Sequence, residues 1–549
     1  MGRRLRAPHR QQSISFNYQG GFMENLSRRE FLGYGAAAAA GGVALGLGAP
    51  ALGAGATERH QAEAEEAHAG NTGSLTVGMR AILTSLSPFA IQGYQWSQMM
   101  GFVLYDPLVQ VLANGTLAPV AAASWDTSSP TQTIIHVRPG MHFHNGVEVT
   151  AKDVAYSIAA RCDPKVIAVT SGRPVMSPKQ WAGVTTPSKY TVVVHTTSRV
   201  RLLENPQPIL VVPYNAFKLY NVNTQDVGSG PFTLENFVSG SSLAVAANPN
   251  YWGGEPKIRT LTFRLFNDVS EEALNIRSGE VQGIYDVDPL NFKQVSGVPN
   301  TKVIREATYA NWWIIQMGQP PFDNPAVRRA IRYCFNMPLI NKTAFGGLGT
   351  HAWDGFGFYP PSWQISQKYT GGYDPAKAAS LLKAAGVKTP FNVGLIGLNN
   401  YQDSINEGQV IQQGLKAAGL NANFQALTDG DWLSSTYGKG NWTGLAFNAG
   451  NIPFPFLNFW DYLVDPSSLL SAYKKGYPNP TVAALYNKVE AGTDPQEPAL
   501  LKQAQTMILN DAVVYFMFGG PVNMILPNNV HGVIVNGYGD VRWHKASFS

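Results

Sequence analysis

From residue 74 the chain alternates, with Leu75, Val77 and Met79 apolar and Ser74, Thr76 and Gly78 polar or small, the period-two pattern of a strand with one buried face. The same pattern predicts further strands at 131–138, 190–196, 232–237, 242–247 and 261–266, with Ser239-Gly240-Ser241 as the turn of a hairpin. Between them lie segments with a helical period. Asn324-Pro325, Asp374-Pro375 and Asn479-Pro480 each offer a capping side chain followed by a proline, whose missing N–H costs nothing at the first helical position, and long amphipathic helices are expected behind them. Gly386 and Gly419 follow Lys383-Ala384-Ala385 and Lys416-Ala417-Ala418, where a left-handed residue ends a helix. Thr150 with Asp153 gives a weaker start for a helix over 151–161. Strands and helices interleave throughout, so the fold class is α/β.

Composition bounds the organisation. At 549 residues the chain is too long for one core, and with 44% hydrophobic and 14% charged residues it can bury two or three. The net charge of +5 is concentrated near the start: six arginines and two glutamates precede residue 57, leaving 35 positive and 34 negative residues in the body. Such a body carries no footprint for nucleic acid. Two cysteines, Cys162 and Cys334, make neither a disulfide framework nor a CxxC zinc pair. Cys334 follows Val327, Ala330 and Ile331 at helical spacing, which puts its thiol on a buried face.

Ser27-Arg28-Arg29-Glu30-Phe31-Leu32 opens an uncharged, Ala- and Gly-rich stretch ending at Ala56, and this resembles a twin-arginine export signal. Eight glycines and six Phe, Leu or Val residues over 31–56 make it a weak permanent anchor. Residues 1–56 are therefore expected to be an export signal cleaved near Ala51 or Ala56, with residues before Met23 an over-long start, and residues 57–73 a polar linker. The expected location is the periplasm, reached through the twin-arginine (Tat) machinery; membrane anchoring and secretion are the alternatives.

Tyr105-Asp106-Pro107-Leu108-Val109, Ala123-Ser124-Trp125, Val137-Arg138-Pro139-Gly140 and Phe143-His144-Asn145-Gly146 are followed by Gly228-Ser229-Gly230-Pro231-Phe232 and Asn248-Pro249-Asn250-Tyr251-Trp252. With Pro321-Phe322-Asp323-Asn324-Pro325 and Tyr373-Asp374-Pro375 further on, this order and spacing resembles the family 5, peptide/nickel-type, extracellular solute-binding proteins of ABC importers. The resemblance covers roughly 74–530. It implies a two-lobed periplasmic-binding-protein-like fold of the class II type with an extra subdomain. Lobe I would comprise 74–113, 227–308 and 512–549, its subdomain 114–226, and lobe II 309–511, with the chain crossing between lobes near 307–311 and 511–515. The implied function is capture of an oligopeptide or similar small organic solute in the interlobe cleft and delivery to an ABC-transporter permease. The implied receptor is a monomer without a cofactor.

Candidate ligand-binding residues are aromatics near strand ends and lobe crossings: Tyr94, Trp96, Tyr309, Trp312, Trp313, Trp353 and Trp432. Trp125, Trp252 and Phe143 read as packing, and His136, His142 and His144 as the surface side of a hairpin. Peptide-binding members resemble one another at a Trp-x-x-Asp-x-x-Asp-Pro segment whose first aspartate pairs with the peptide's α-amino group. Here the match is Asn448-Ala449-Gly450-Asn451-Ile452-Pro453-Phe454-Pro455, so Asn448 and Asn451 take the places of tryptophan and anchoring aspartate. An amide cannot compensate a buried ammonium, so free-amine di- and tripeptides are expected to bind poorly unless Glu407, Asp429 or Asp431 supplies the charge. A nickel or metal-chelate receptor and a Tat-exported enzyme stand as alternatives. The second is disfavoured because no GxSxG, HExxH, GxxxxGK[ST] or dinucleotide fingerprint occurs.

Overall fold

The alternating run at the start of the body forms β1 (Ser74–Arg80), with Leu75, Val77 and Met79 at most 1% exposed. The computed structural model describes residues 73–549 apart from 81–82, 90–100, 113–115, 171–174, 177, 205–207, 267–269, 352–371, 440–441, 451–478, 491–496 and 536–540. The chain divides into Met1–Gly70, which lies outside the described residues, and Asn71–Ser549.

After β1 come β2 (Val109–Val111), β3 (Leu117–Pro119), β4 (Ala122–Asp126) and β5 (Gln132–Val137), then α1 (Ala151–Cys162), β6 (Trp181–Ser188) and β7 (Thr191–Thr196). The sheet β4-β5-β7-β6 and α1 enclose their own core, which includes Ile135, Val137, Val154, Ile158, Val192 and Val194. At the head of α1 the Asp153 carboxylate accepts from the Thr150 N–H at 2.9 Å, so the weaker start signal is a working cap. The chain then returns through β8 (Phe232–Val238), β9 (Ser242–Ala247) and β10 (Thr260–Phe266), followed by α2 (Ser270–Ser278) and β11 (Gly283–Tyr285). β1 lies parallel between β10 and β11, over a second core containing Leu75, Val77, Phe232, Leu261 and Phe263.

The next strand, β12 (Thr301–Ile315), precedes α3 (Pro325–Ile331), α4 (Met337–Ala344), β13 (Thr350–His351), α5 (Pro375–Ala384), β14 (Asn392–Leu398), α6 (Gln402–Ala417), β15 (Asn421–Leu427) and β16 (Leu445–Gly450). α7 (Pro480–Glu490), α8 (Glu497–Asn510) and β17 (Val514–Pro527) follow. Asn324 and Asp374 cap α3 and α5 as their sequences predict. α3 is shorter than its pattern predicts: it tightens into a 3₁₀ turn at Arg332–Cys334, because Asn336-Met337-Pro338 starts and caps the next helix. Gly386 and Gly419 end α5 and α6 at φ of +71° and +80°.

Among the described residues the strands make an 11-stranded sheet, ordered β15-β14-β16-β12-β17-β11-β1-β10-β9-β8 with β13 against β17. β12 and β17 pair antiparallel along nearly their whole lengths, with bulges at Glu306/Thr308 and Ala310/Trp312. This ribbon passes from one core to another. Met524 and Leu526 of β17 belong with β1, whereas Trp312, Trp313, Ile314 and Ile315 of β12 and Val514 to Phe518 of β17 belong to a third core with α3 to α8. No helix among the described residues is long and apolar enough to cross a membrane.

The family-like motifs meet at the joint between the first two cores. Asp106, fully buried, accepts from Tyr251 Oη at 2.8 Å, Trp252 Nε1 at 3.1 Å and Ser229 Oγ at 3.1 Å, and Arg138 stacks over the Trp252 ring at 4.3 Å. Burial pushes the Asp106 carboxyl up to about 6 although its three donors oppose the shift. A Cβ on Gly228 would lie 1.7 Å from the Leu104 carbonyl oxygen, and one on Gly230 would lie 2.4 Å from that of Val103, so only glycine fits.

His144 does not take the surface position that its hairpin predicts. His136 and His142 are exposed, but the His144 side chain is only 7% exposed, with Nδ1 2.7 Å from Asp226 and Nε2 2.9 Å from the Gly230 carbonyl. Both acceptors call for N–H groups, and the Asp226 carboxylate outweighs burial and holds the imidazole above its ordinary value. The turn at Asn145-Gly146 reverses the chain so that His144 faces the Gly228-Ser229-Gly230 segment instead of solvent. Both cysteines are free and buried, and burial pushes the Cys334 thiol up to about 12.

Candidate functional site

In an α/β sheet the carboxyl ends of parallel strands are where side chains from successive loops converge. Here the carboxyl ends of β1 and β11 bring Arg80 beside Asp286 and Asp288, and α2 adds Glu272. Arg80 Nη1 is 3.0 Å from Asp288 Oδ2, Nη2 is 3.5 Å from Asp286 Oδ2, and Nε is 3.4 Å from Glu272 Oε1. Asp286 adopts φ of +56°, a left-handed conformation that a non-glycine residue takes at a cost. Glu272 also accepts from the Asp288 N–H and from Asn291 Nδ2, each at 3.2 Å. Burial pushes Glu272 up to about 7 and holds Asp288 above the usual carboxylate range, with Arg80 opposing both shifts.

The other half comes from β12 and the first turns of α6. Asn311, fully buried, donates from one amide nitrogen to Asp403 Oδ2 at 2.9 Å and Glu407 Oε1 at 3.0 Å. Trp313 Nε1 donates to Glu407 Oε2 at 2.7 Å. Burial, then the Asp403 charge, pushes the Glu407 carboxyl up to about 8, so it is largely protonated at neutral pH. Asp403 acts electrostatically on both Arg80 and Asp288, which couples the two halves. Beside them the Gly346 backbone following α4 comes so close to Pro289 that an added Cβ would lie 3.2 Å from its carbonyl oxygen.

The result is a floor of five carboxyl groups and one guanidinium where the second and third cores meet. It can hold and orient; among the described residues no group of three or more His, Cys, Asp or Glu is placed to hold a metal ion. A groove of about 1030 Å³, lined by Asn392, Asn421, Asn423, Gln425 and Trp442 among others, runs along the β14–β15 edge, and no residue of the charged floor lines it.

The structure distributes the sequence-predicted site residues unevenly. Trp313 is fully buried, edge-on to Phe447 at 5.6 Å and Phe424 at 6.4 Å, and its neighbour Trp312 is 5% exposed with its ring 6.5 Å from Phe516. Trp432 is buried in the same third core. Asn448 stands opposite Trp312 in the β12–β16 register, and its Oδ1 accepts from the Ala449 N–H at 2.9 Å. Tyr309 stands opposite Gly520 on β12. Tyr94, Trp96, Trp353 and Asn451 lie outside the described residues. Of the carboxylates named as substitutes for the lost aspartate, Glu407 is enclosed in the floor, Asp431 is exposed at the Thr428 cap, and Asp429 begins the short helix Asp429–Leu433. Arg80, Glu272, Asp286, Asp288, Asn311 and Asp403 are absent from the sequence-derived set. Their signal is positional: a charge closes an alternating apolar strand at Arg80, and Asp286 and Asp288 follow a short apolar run.

Comparison with known proteins extends this geometry. Residues 116–479 match the model of bacterial extracellular solute-binding proteins, family 5 Middle. The chain is 27% identical over 375 residues to the glutathione-binding protein GsiB of Escherichia coli O1:K1, spanning 67% of this chain and 72% of that protein. Its fold is similar to the periplasmic binding protein DppA of Helicobacter pylori in complex with the peptide STSA, at TM-score 0.76 and 22% identity over 86% of this chain and 98% of that one. It is also similar to NikA of Staphylococcus aureus in complex with Ni(L-His)2, at TM-score 0.71 and 16% identity over 87% of this chain and 100% of that one. The fold is therefore that of two-lobed periplasmic binding proteins, and the chain belongs to the family 5 bacterial extracellular solute-binding proteins.

Proposed function

We propose that this chain is exported by the twin-arginine route, is cleaved near Ala51 or Ala56, and works in the periplasm as a monomer. There it captures an oligopeptide or similarly extended organic solute in the interlobe cleft and passes it to an ABC-transporter permease. The observation that carries this reading is the β12–β17 ribbon, which runs from one hydrophobic core into another and provides the frame on which two rigid lobes can close. Closure needs only differential contact with the solute and no covalent chemistry. The similarity to GsiB and to peptide-bound DppA supports the ligand class.

The solute lacks the free ammonium that an anchoring aspartate would pair, because the position of that aspartate is taken by Asn451. Glu407 is enclosed by Asn311 and Trp313 and largely protonated, so it is unfit to balance an ammonium, and Asp288 and Asp403 are at most 2% exposed. Calorimetry with matched free-amine and N-acetylated peptides tests this. The blocked peptides should bind more tightly; submicromolar affinity that vanishes on N-acetylation would show that another carboxylate anchors the amine.

A further inference from the structure

Arg201 stands just ahead of Leu202 and Leu203, which are buried in the core of the β4–β7 sheet. Among the described residues its guanidinium donates to Glu204, Glu497 and the Val489 carbonyl. Nη1 donates to Glu204 Oε2 at 3.0 Å, three residues along the same turn. Nη2 donates to Glu497 Oε2 at 2.7 Å and to the Val489 carbonyl at 3.3 Å, both belonging to helices packed in the third core. The ion pair thus joins residues 296 apart in sequence and two separate hydrophobic cores.

The acceptors suit a cation. Val489 lies in the last turn of α7, where backbone carbonyls lack helical partners and carry partial negative charge. Glu497 is the first residue of α8, where the helix dipole stabilises a carboxylate that must give up water to pair. Glu204 and Glu497 divide the work of holding one guanidinium. Glu204 belongs to the same core as Arg201 and keeps it extended whether or not the cores approach, whereas Glu497 and Val489 are within reach only when they do.

We propose that Arg201 is a positioning residue for lobe closure: preset by Glu204, it clasps the corner between Val489 and Glu497 and holds the lobes together at a point separate from the β12–β17 ribbon. The clasp operates whichever solute is captured. Side-chain exposures of 14% for Arg201 and 22% for Glu497 place the pair between a solvated surface bridge and a buried one, so it biases closure without locking it.

The test uses the ligand-free full chain beside Arg201→Gln, Glu497→Gln and the double variant, with small-angle X-ray scattering and the urea midpoint measured on each. Each single variant should lower the ratio of closed to open molecules about five- to tenfold, read as a larger radius of gyration. The double variant should go no further than either single one, Arg201→Lys should recover part of the compaction, and the urea midpoints should barely move. An unchanged radius of gyration in both single variants overturns the proposal, and so does an additive double variant. A fall in midpoint without expansion would make the pair an ordinary packing contact and would overturn it equally.

Discussion

The indole N–H of Trp313 donates to Glu407 Oε2 at 2.7 Å, and both residues are fully buried. A tryptophan on a crossing strand and a glutamate on the first turns of α6 thereby fix the face of the third core that meets the second. The contact makes Trp313 a packing residue with a polar tether, and it makes Glu407 a group whose proton is part of the fold.

Trp313→Ala should therefore cost about 3–5 kcal/mol of folding stability, the range for truncating a buried aromatic. Trp313→Phe should cost less while leaving Glu407 Oε2 without its indole donor, Asn311 still donating to Oε1. Urea unfolding followed by circular dichroism checks both. A Trp313→Ala variant of unchanged stability would show that the ring does not hold this core.

The pH dependence follows from the direction of the shifts. Glu407 and Glu272 have folded values of about 8 and about 7, above the ordinary 4.5, so their contribution is complete below about 4.5 and is lost as pH rises through the folded values. His544 is opposite: burial pushes it down to about 3, so its contribution is complete above the ordinary 6.5 and is lost as pH falls toward 3. Stability should decline between pH 5 and 8, and Glu407→Gln should flatten that decline. Urea midpoints at half-unit intervals measure it, and a wild-type midpoint rising steadily to pH 8 would contradict the assignment.

Gly230→Ala should abolish soluble, cooperatively folding protein, because its Cβ would sit 2.6 Å from the Leu104 carbonyl carbon and 2.4 Å from the Val103 oxygen. Gly240→Ala meets nothing within 4 Å and suffers only from φ of +71°, so it should cost about 1 kcal/mol. Thermal unfolding of the two variants separates steric obstruction from backbone strain, and equal melting temperatures would refute the distinction.

The frame was largely legible in the sequence because its signals are local. Alternation in Ser74–Arg80 and the capping prolines at Pro325, Pro375 and Pro480 each specify an element from a few residues. The motifs that suggested the family proved to be joints: Asp106, Ser229, Tyr251 and Trp252 tie two cores together. The floor was less legible because its members come from β1, α2, the turn after β11, β12 and α6, and only tertiary pairing brings them together. The burial of His144 is not legible for a related reason, since strand alternation carries no information about a glycine-lined turn that folds back over it.

Binding itself should appear as stabilisation by mass action, about 2.7 kcal/mol at a hundredfold excess of solute over its dissociation constant. Acetylated peptides that leave the melting temperature unmoved at such an excess over their calorimetric dissociation constants would indicate binding to the unfolded chain as well.

Native mass spectrometry of the protein purified from its own cells shows whether it captures an organic solute. The expected species is a mature chain lacking the residues up to about Ala51 or Ala56 and carrying a single organic solute that dissociates on collisional activation. A chain that carries stoichiometric nickel and no organic solute would contradict that capture.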